Sequence, residues 1–507
     1  MTMNKKLMFS ILLASMLASC AGDRTVEQEP ATKQTSQSDR IIVDFDAYQK
    51  RSTTRSGLGG VLDVTGLKKP QSEGGGFGVF AYYTDLKYYD QTHVPNFMYN
   101  QGVFWNSTSL YWEYNPIMYW PNEYGYSAAS DEEDHLTFFA YAPFVESKSA
   151  AAGTVDDATS GIVGFTRNTA TGDPMVKYIA DFDPSKSVDL CWGVVPSDKT
   201  SWNIIQNGST QTLTEGLPWL NIQRPLEAKS QTEATSSRVK FKFNHALAQL
   251  NVQIDTDADV TTHYDGEDPD SLGAATKVYV RSISFTGIAL KGALNLNNSV
   301  ANQALWLDWC GCTDLSYGQT VTVHDGRRDG REGVSGAEAN NETPQGLNPN
   351  IIQNSTATDG VTPTFQNLFA PTSPIANPSA PTAAELEARL NDAICVIPTG
   401  EDMTVTIVYD IETTNPKLAG FISDGTTHGV SIQNTVTKTV TFGSVPNITS
   451  SLQSNKRYTL KLHLGMNSVK FDAEVGDWAT NTVDGNGWLP SNTRPIVLNH
   501  SVLYLGA

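Results

Sequence analysis

The chain is poor in what most catalytic and nucleic-acid-binding proteins need. Its 507 residues include 5 cysteines and 8 histidines, too few for a disulfide scaffold and sparse material for a metal cluster. The histidines (His93, His135, His245, His263, His324, His428, His463 and His500) stand singly. Basic charge is also short: 35 Lys and Arg face 54 Asp and Glu, a formal net charge of −19. A net negative surface repels phosphate and excludes nucleic acid as a natural partner. It equally disfavours adsorption to an anionic membrane surface. No G-x-S-x-G, H-E-x-x-H or P-loop pattern occurs. Apolar runs long enough to span a bilayer are missing, and helix signals are scarce.

Strand signals are abundant. An apolar fraction of 39% with 18% charged residues can bury a core and is too apolar for a disordered chain. Apolar and polar residues alternate in Met403–Ile411, where the odd positions form one face, and in Tyr458–Leu464, where the even ones do. Val469, Phe471, Ala473 and Val475 alternate with Lys470, Asp472 and Glu474; Val239, Phe241 and Phe243 alternate with Lys240 and Lys242. In Lys277–Phe285 the apolar phase slips by one residue between Val278/Val280 and Ile283/Phe285, which predicts a β-bulge. The best helix is Thr382–Ala393, with a Thr382…Glu385 capping box and Leu386/Leu390 on one side. One short helix among many strands predicts antiparallel sandwiches with long loops rather than βαβ units.

The amino terminus carries an address. Lys5 and Lys6 precede an apolar stretch, Leu7–Leu17, of the length of a secretory signal. Leu17-Ala18-Ser19-Cys20 looks like a bacterial lipobox, which makes residues 1–19 a lipoprotein signal peptide and Cys20 the lipidation site, the acyl chains anchoring the chain in a membrane. An ordinary signal peptide with an incidental cysteine is the alternative. Residues 21–39 have almost no apolar side chains and read as a tether. Thereafter we expect residues 20–55 to hold the tether and a first strand, and 56–230 an amino-terminal sandwich. A carboxy-terminal sandwich over 231–490 would carry an insertion at 313–379, and 491–507 would be a separate terminal strand. The boundary is placed in the polar stretch near Gln223–Arg238. The Gly-, Asn-, Thr- and Pro-rich insertion is long for a plain connection.

Residues 77–144 hold 21 of the 48 aromatics. Phe77-Gly78-Val79-Phe80-Ala81-Tyr82-Tyr83, Asn96-Phe97-Met98-Tyr99-Asn100-Gln101, Trp112-Glu113-Tyr114-Asn115-Pro116, Tyr119-Trp120-Pro121-Asn122 and Phe138-Phe139-Ala140-Tyr141-Ala142-Pro143 follow one another. Val188-Asp189-Leu190-Cys191-Trp192, Phe241-Lys242-Phe243-Asn244-His245-Ala246-Leu247-Ala248, Asn455-Lys456-Arg457-Tyr458-Thr459-Leu460 and Val475-Gly476-Asp477-Trp478 come later. In order and spacing this series resembles the fimbrillin family, fimbrial subunits of Bacteroidales, over most of residues 40–480; the stretch after Cys312 matches least. The resemblance implies an all-β chain of two transthyretin-like sandwich domains, exported as an outer-membrane lipoprotein and without enzymatic activity or cofactor. It implies assembly with other fimbrial subunits into a surface fimbrium supporting adhesion. There a trypsin-like protease cuts after an Arg near the mature amino terminus and removes the first strand, and the groove left behind accepts a strand from a neighbour's carboxy-terminal tail.

Strand exchange needs an excisable strand, a cleavable bond and a spare strand. Ile41–Tyr48 suits the first, with Ile41, Val43, Phe45 and Ala47 on one face and Asp44 and Asp46 on the other. Arg40, Arg51 and Arg55 offer cleavable bonds; only Arg51 and Arg55 follow the strand, and Arg55 lies in the polar segment Ser52–Gly57. The spare strand is Ile496–Leu505, with Ile496, Leu498, Val502 and Tyr504 as its anchors. The alternative is that both segments are permanent strands.

A rival function is a surface glycan-binding lipoprotein, with Trp105, Trp112 and Trp120 stacking on sugars; against it stands the ordinary use of aromatics as core. Gly76-Phe77-Gly78-Val79-Phe80-Ala81 has dinucleotide-loop spacing, but Phe77, Val79 and the tyrosines after them read as strand. Cys310 and Cys312 form a disulfide or two thiols, Cys191 and Cys395 are expected as small buried hydrophobes, and no metal site is expected. Asp484-Gly485-Asn486-Gly487 lacks the acidic ligands of a calcium loop. Asp131-Glu132-Glu133-Asp134 reads as a solvated loop rather than a hydrolase's carboxylate pair.

Overall fold

Side-chain alternation favours pleated chains that bury one face, and the computed structural model is built almost wholly of them. It describes residues 42–49, 64–84, 87–121, 134–155, 158–182, 186–203, 210–223, 238–256, 276–311, 320–325, 351–352, 366–367, 393–415, 430–442, 451–464, 469–477 and 503–504. The expected helix over 382–393 lies, apart from Ala393, outside these residues. The strands of the first half are β1 (Phe45–Gln49), β2 (Phe77–Thr84), β3 (Met98–Asn106), β4 (Tyr111–Glu113), β5 (His135–Ala142), β6 (Gly161–Phe165), β7 (Met175–Ile179), β8 (Cys191–Val194), β9 (Ser201–Asn203), β10 (Thr210–Thr212), β11 (Trp219–Ile222) and β12 (Val239–His245). Those of the second half are β13 (Ala248–Thr256), β14 (Thr276–Thr286), β15 (Ile288–Ala289), β16 (Lys291–Asn295), β17 (Leu305–Leu307), β18 (Val321–Asp325), β19 (Ile351–Ile352), β20 (Gln366–Asn367), β21 (Ile394–Pro398), β22 (Thr404–Asn415), β23 (Val430–Thr441), β24 (Lys456–Leu464), β25 (Val469–Asp477) and β26 (Leu503–Tyr504).

The central sheet of the first half runs β1-β12-β8-β5-β2-β3-β4, with β11 also paired to β5. Both its faces are covered. Phe77, Val79 and Ala81 of β2 and Phe138 and Ala140 of β5 enter one core, together with Val43, Phe45 and Ala47. Phe80, Tyr82, Phe139 and Tyr141 enter the other. That is why every residue of β5 is buried: a strand covered on both sides has no polar face to show. Gly193 of β8 is needed where its two neighbours in the sheet crowd it, since a Cβ there would stand 2.9 Å from the Phe241 ring of β12 and 3.0 Å from the Ala140 Cβ of β5. The loop motif at Gly76–Ala81 is strand from Phe77 onward.

A second sheet, β17-β16-β7-β6, closes the outer face, contributing Ile162, Phe165, Val176, Tyr178, Leu294 and Trp306. In the second half, β15-β21-β13-β24-β25-β26 and β18-β14-β22-β23 form two further sheets. Leu250, Val252 and Ile254 of β13 and Tyr458, Leu460 and Leu462 of β24 share a core with Ile283, Phe285, Val405, Ile407 and Tyr409 of the opposing sheet. This is the sandwich arrangement expected from the alternation. The expected bulge lies in β14, where the register with β22 shifts between Val280 and Ser282.

Two features depart from the sequence reading. Pairing is not wholly antiparallel: β1 runs parallel to β12, and β13 parallel to β24. Each pair joins segments far apart in sequence, which is what parallel neighbours require. The polar stretch near 223–238 separates β11 from β12, yet both belong to the central sheet. Residues 291–295 (β16), well beyond that stretch, pair with β7, and β17 adds to their other side. Of the segment 313–379, the described residues are β18, β19 and β20, which add short edges to β14 and β13.

Candidate functional site: the seam closed by the first strand

The alternating apolar residues of β1 make it a wedge. Phe45 touches four rings: Phe77 at 6.4 Å between centroids, Tyr114 at 5.4 Å, Phe138 at 5.9 Å and Phe241 at 6.1 Å. Val43 is fully buried and Ala47 nearly so. The backbone of β1 lies beside β12 in the register Phe45↔Val239, Ala47↔Phe241 and Gln49↔Phe243, and Val239 N–H donates to the Asp44 carbonyl at 2.9 Å.

The other side of the strand meets the far end of the same sheet. Val43 N–H donates to the Met118 carbonyl at 3.0 Å, Ile42 bridges Tyr119, and the Tyr114 hydroxyl donates to the Val43 carbonyl at 2.6 Å. Arg238, just before β12, holds Asp44 at 3.2 Å and lays its guanidinium 4.6 Å from the Tyr111 ring centre in β4. The sheet therefore curls until its two ends meet, and β1 fills the seam. Burial raises the Asp44 carboxyl above its ordinary range, against the pull of Arg238. On the exposed side Lys240 sits 4.7 Å from the Tyr48 ring centre.

Val43 and Phe45 thus stand together in one core. Cys20, Ile41, Arg51, Arg55, Ile496, Leu498 and Val502 lie outside the described residues. Tyr504 is placed by its backbone: β26 runs antiparallel to β25, Tyr504 opposite Lys470 and Leu503 opposite Phe471.

The three tryptophans that the rival reading would use as a sugar platform do not form one, although the rings of Trp105 and Trp112 meet at 5.5 Å. Trp112 and Trp120 are 4% and 2% exposed; Trp112 packs against Phe77, and Trp120 against Phe138 and Trp202. Neither can offer a face to a sugar, because the aromatic cluster is used to fill the curled sheet. Trp105 alone remains half-buried, with the Lys68 ammonium 3.8 Å from its ring centre. It borders an open cleft of about 840 Å³ that also presents Tyr99, Phe104, Glu113, Tyr114 and Asn115. Ser109 and Asn106 donate to Glu113 at 2.6 and 2.9 Å, which holds its carboxylate below the usual range.

One group of side chains was not anticipated. Asp189, Cys191 and His245 converge in the interior, although Cys191 reads by sequence as a small hydrophobe. The signal was present in part: Asp189 and Cys191 are two apart and so share a side of an extended chain. That His245 lies opposite Cys191 follows only from the pairing of β8 with β12.

Fimbrium subunit Fim1C of Phocaeicola vulgatus is 24% identical to this chain over 288 residues, 56% of this chain and 57% of that one. The resemblance to fimbrillins is borne out. The chain spans little more than half the length of this curated relative, and no protein-family model matches it. Among solved structures, a fimbrial protein from Bacteroides vulgatus overlays with a TM-score of 0.46 at 18% identity, covering 87% of this chain and all of that one (100%). The tip fimbrial protein Mfa3 from Porphyromonas gingivalis, with a carboxy-terminal truncation, gives a TM-score of 0.22 at 10% identity, covering 87% and 99%.

Proposed function

We propose that this fimbrillin-like chain is a structural subunit of a cell-surface fimbrium, assembled by protease-triggered donor-strand exchange and supporting adhesion rather than catalysis. It would reach the outer membrane as a lipoprotein, anchored through Cys20 until a trypsin-like protease cuts after Arg55 or Arg51. Its partners are other fimbrial subunits, in a homo- or hetero-polymer, and no nucleic acid. The observation that carries this reading is the placement of β1, an edge strand with Val43 and Phe45 buried in the core and a start that is hydrogen-bonded to the opposite end of its sheet.

A strand in that position can be exchanged without refolding the rest of the sheet. Its removal would bare the Val43 and Phe45 sites, each worth roughly 1.5–3 kcal/mol of apolar burial, and the unpaired side of β12, an aggregation hazard. A donor with alternating apolar residues, such as Ile496, Leu498, Val502 and Tyr504, supplies what is missing. Before donation Leu503–Tyr504 rests on the chain's own β25, so donation includes its release.

The test is trypsin treatment of the purified chain. Cleavage at Arg51 or Arg55 should be followed by SDS-resistant ladders, absent when the chain is truncated after Pro495. A clean cut that leaves only monomer, or ladders from the truncated chain, defeats the assembly reading.

A second reading, an outer-membrane glycan-binding lipoprotein, keeps one supporting observation, the cleft beside Trp105 with its aromatic walls and fixed Glu113 carboxylate. Retention on a glycan array, lost in Trp105→Ala at unchanged thermal stability, is the outcome it requires.

A further inference from the structure

The cluster at Asp189, Cys191 and His245 has the spacing of a coordination shell. His245 Nδ1 is 2.7 Å from Asp189 Oδ2. Cys191 Sγ is 3.5 Å from the same nitrogen and 3.9 Å from the same carboxylate oxygen. A triangle with these sides has one point in its plane about 2.0 Å from all three atoms. That is the length of Zn–N and Zn–O bonds and slightly under the Zn–S length of about 2.3 Å. The Cys191 residue is fully buried, and the side chains of His245 and Asp189 are 8% and 2% exposed.

We propose that these three residues form a structural binding site for a thiophilic divalent cation, Zn²⁺ by its chemistry. Charge supports the assignment: one thiolate and one carboxylate neutralise a divalent ion while the imidazole stays neutral, which is what an interior site needs. The ligand types suit zinc, because a hard cation such as Mg²⁺ or Ca²⁺ would reject the sulfur and take more oxygens. On binding, the Cys191 thiol proton leaves to solvent, and the Nδ1 proton now shared with Asp189 departs or passes to the other ring nitrogen. No electron moves. Cys395, buried on β21, lies within electrostatic reach of Asp189 and Cys191 but outside the group of three ligands. Burial above all, with Asp189 second, keeps both cysteines as thiols when no cation is present.

The site joins what the chain brings together from afar. Asp189 and Cys191 stand at the entry to β8, and His245 ends β12. A cation there would pin the ends of these two strands of the central sheet together. It would also keep the Cys191 thiol from disulfide exchange during export, since a bound thiolate is not free to attack. This inference does not depend on the assembly reading.

The experiment is refolding of the full chain from denaturant with Zn²⁺ or with Co²⁺, followed by exhaustive dialysis. The expected result is about one bound Zn²⁺ per chain by elemental analysis, resistant to chelator until the protein unfolds, because the site is buried. With Co²⁺, a near-ultraviolet thiolate-to-cobalt band should appear, which needs no variant. Cys191→Ser and His245→Asn should each lower metal content at least tenfold, with circular dichroism reporting whether they fold. The proposal is overturned by a folded wild-type chain holding less than about a tenth of an equivalent, or by full metal content in a folded Cys191→Ser. A Cys191–Cys395 disulfide in the native protein overturns it as well.

Discussion

Phe45 is the residue on which the seam depends. Its ring is 1% exposed and meets rings from β2, β5 and β12 as well as Tyr114. Phe45→Ala should cost the uncleaved chain about 3–5 kcal/mol, read as a lower denaturant midpoint, whereas Ile42→Ala, at a position 43% exposed, should change little. Equal effects would mean that β1 is not wedged as described. His135 offers a test by pH. It is 2% exposed, and burial lowers the tendency of its imidazole to take a proton. The unfolded chain therefore binds a proton that the folded one refuses, so stability falls as pH drops below the ordinary histidine range near about 6.5. His135→Gln removes that linkage: its loss of thermal stability between pH 7 and pH 5 should be smaller than the wild type's, and an equal loss would assign the acid sensitivity elsewhere. The two residues differ in legibility. Phe45 sits in a visible alternation, so its inward face could be read from sequence. His135 stands before a run broken only by Thr137 that gives no clear face, and only the double coverage of β5 explains its burial.

At the scale of elements, β1 is held by few bonds at its start, and Tyr114 makes one of them while fixing the Met118 segment beside it. Its hydroxyl donates to the carbonyls of Val43 at 2.6 Å and Met118 at 3.2 Å, and accepts the Met118 N–H at 3.2 Å. One proton cannot serve both carbonyls fully, and the shorter contact, to Val43, takes precedence. Tyr114→Phe keeps the ring against Phe45 and removes the oxygen. The expected cost is about 1–2 kcal/mol, concentrated on β1. Amide exchange at Val43 should accelerate several-fold, while amides in β24 keep wild-type rates; uniform acceleration would show that the seam does not open locally. Strand identity was legible wherever one face is wet, as in β22 and β24, where the expected alternation matches burial at Met403, Val405, Ile407, Tyr458, Leu460 and Leu462. The partners of those strands were not. Parallel pairing of β1 with β12 joins positions about two hundred residues apart, and no local signal encodes that. The tryptophans were left with two readings for a related reason: an aromatic run reads alike as platform or core, and the curl of the sheet decides which.

Over the whole molecule, the two halves are less separable than a polar stretch near 223–238 suggests. β16 leaves the second half to pair with β7, and β17 follows it on its other edge. The Asp173 carboxylate, just before β7, gathers Tyr89 and Gln91 from one half at 2.9 and 3.1 Å and Asn295 and Asn297 from the other at 3.1 and 3.0 Å. One core contains both Phe139 and Ile397. Breaking the halves apart would leave that core and a charge-assisted hydrogen-bond cluster open to water, so their unfolding should be coupled. Tryptophan can report on this, because among the described residues the core between the two later sheets contains none, while the cores on the two faces of the central sheet hold Trp112, Trp120, Trp192, Trp202 and Trp219, joined by Trp306 from β17. Fluorescence from these follows the central sheet, and far-ultraviolet circular dichroism follows all strands. Coincident urea transitions with a common midpoint are expected. A fluorescence transition separated from the dichroism transition would show two independent domains, and the strand exchange between halves would then carry little energy.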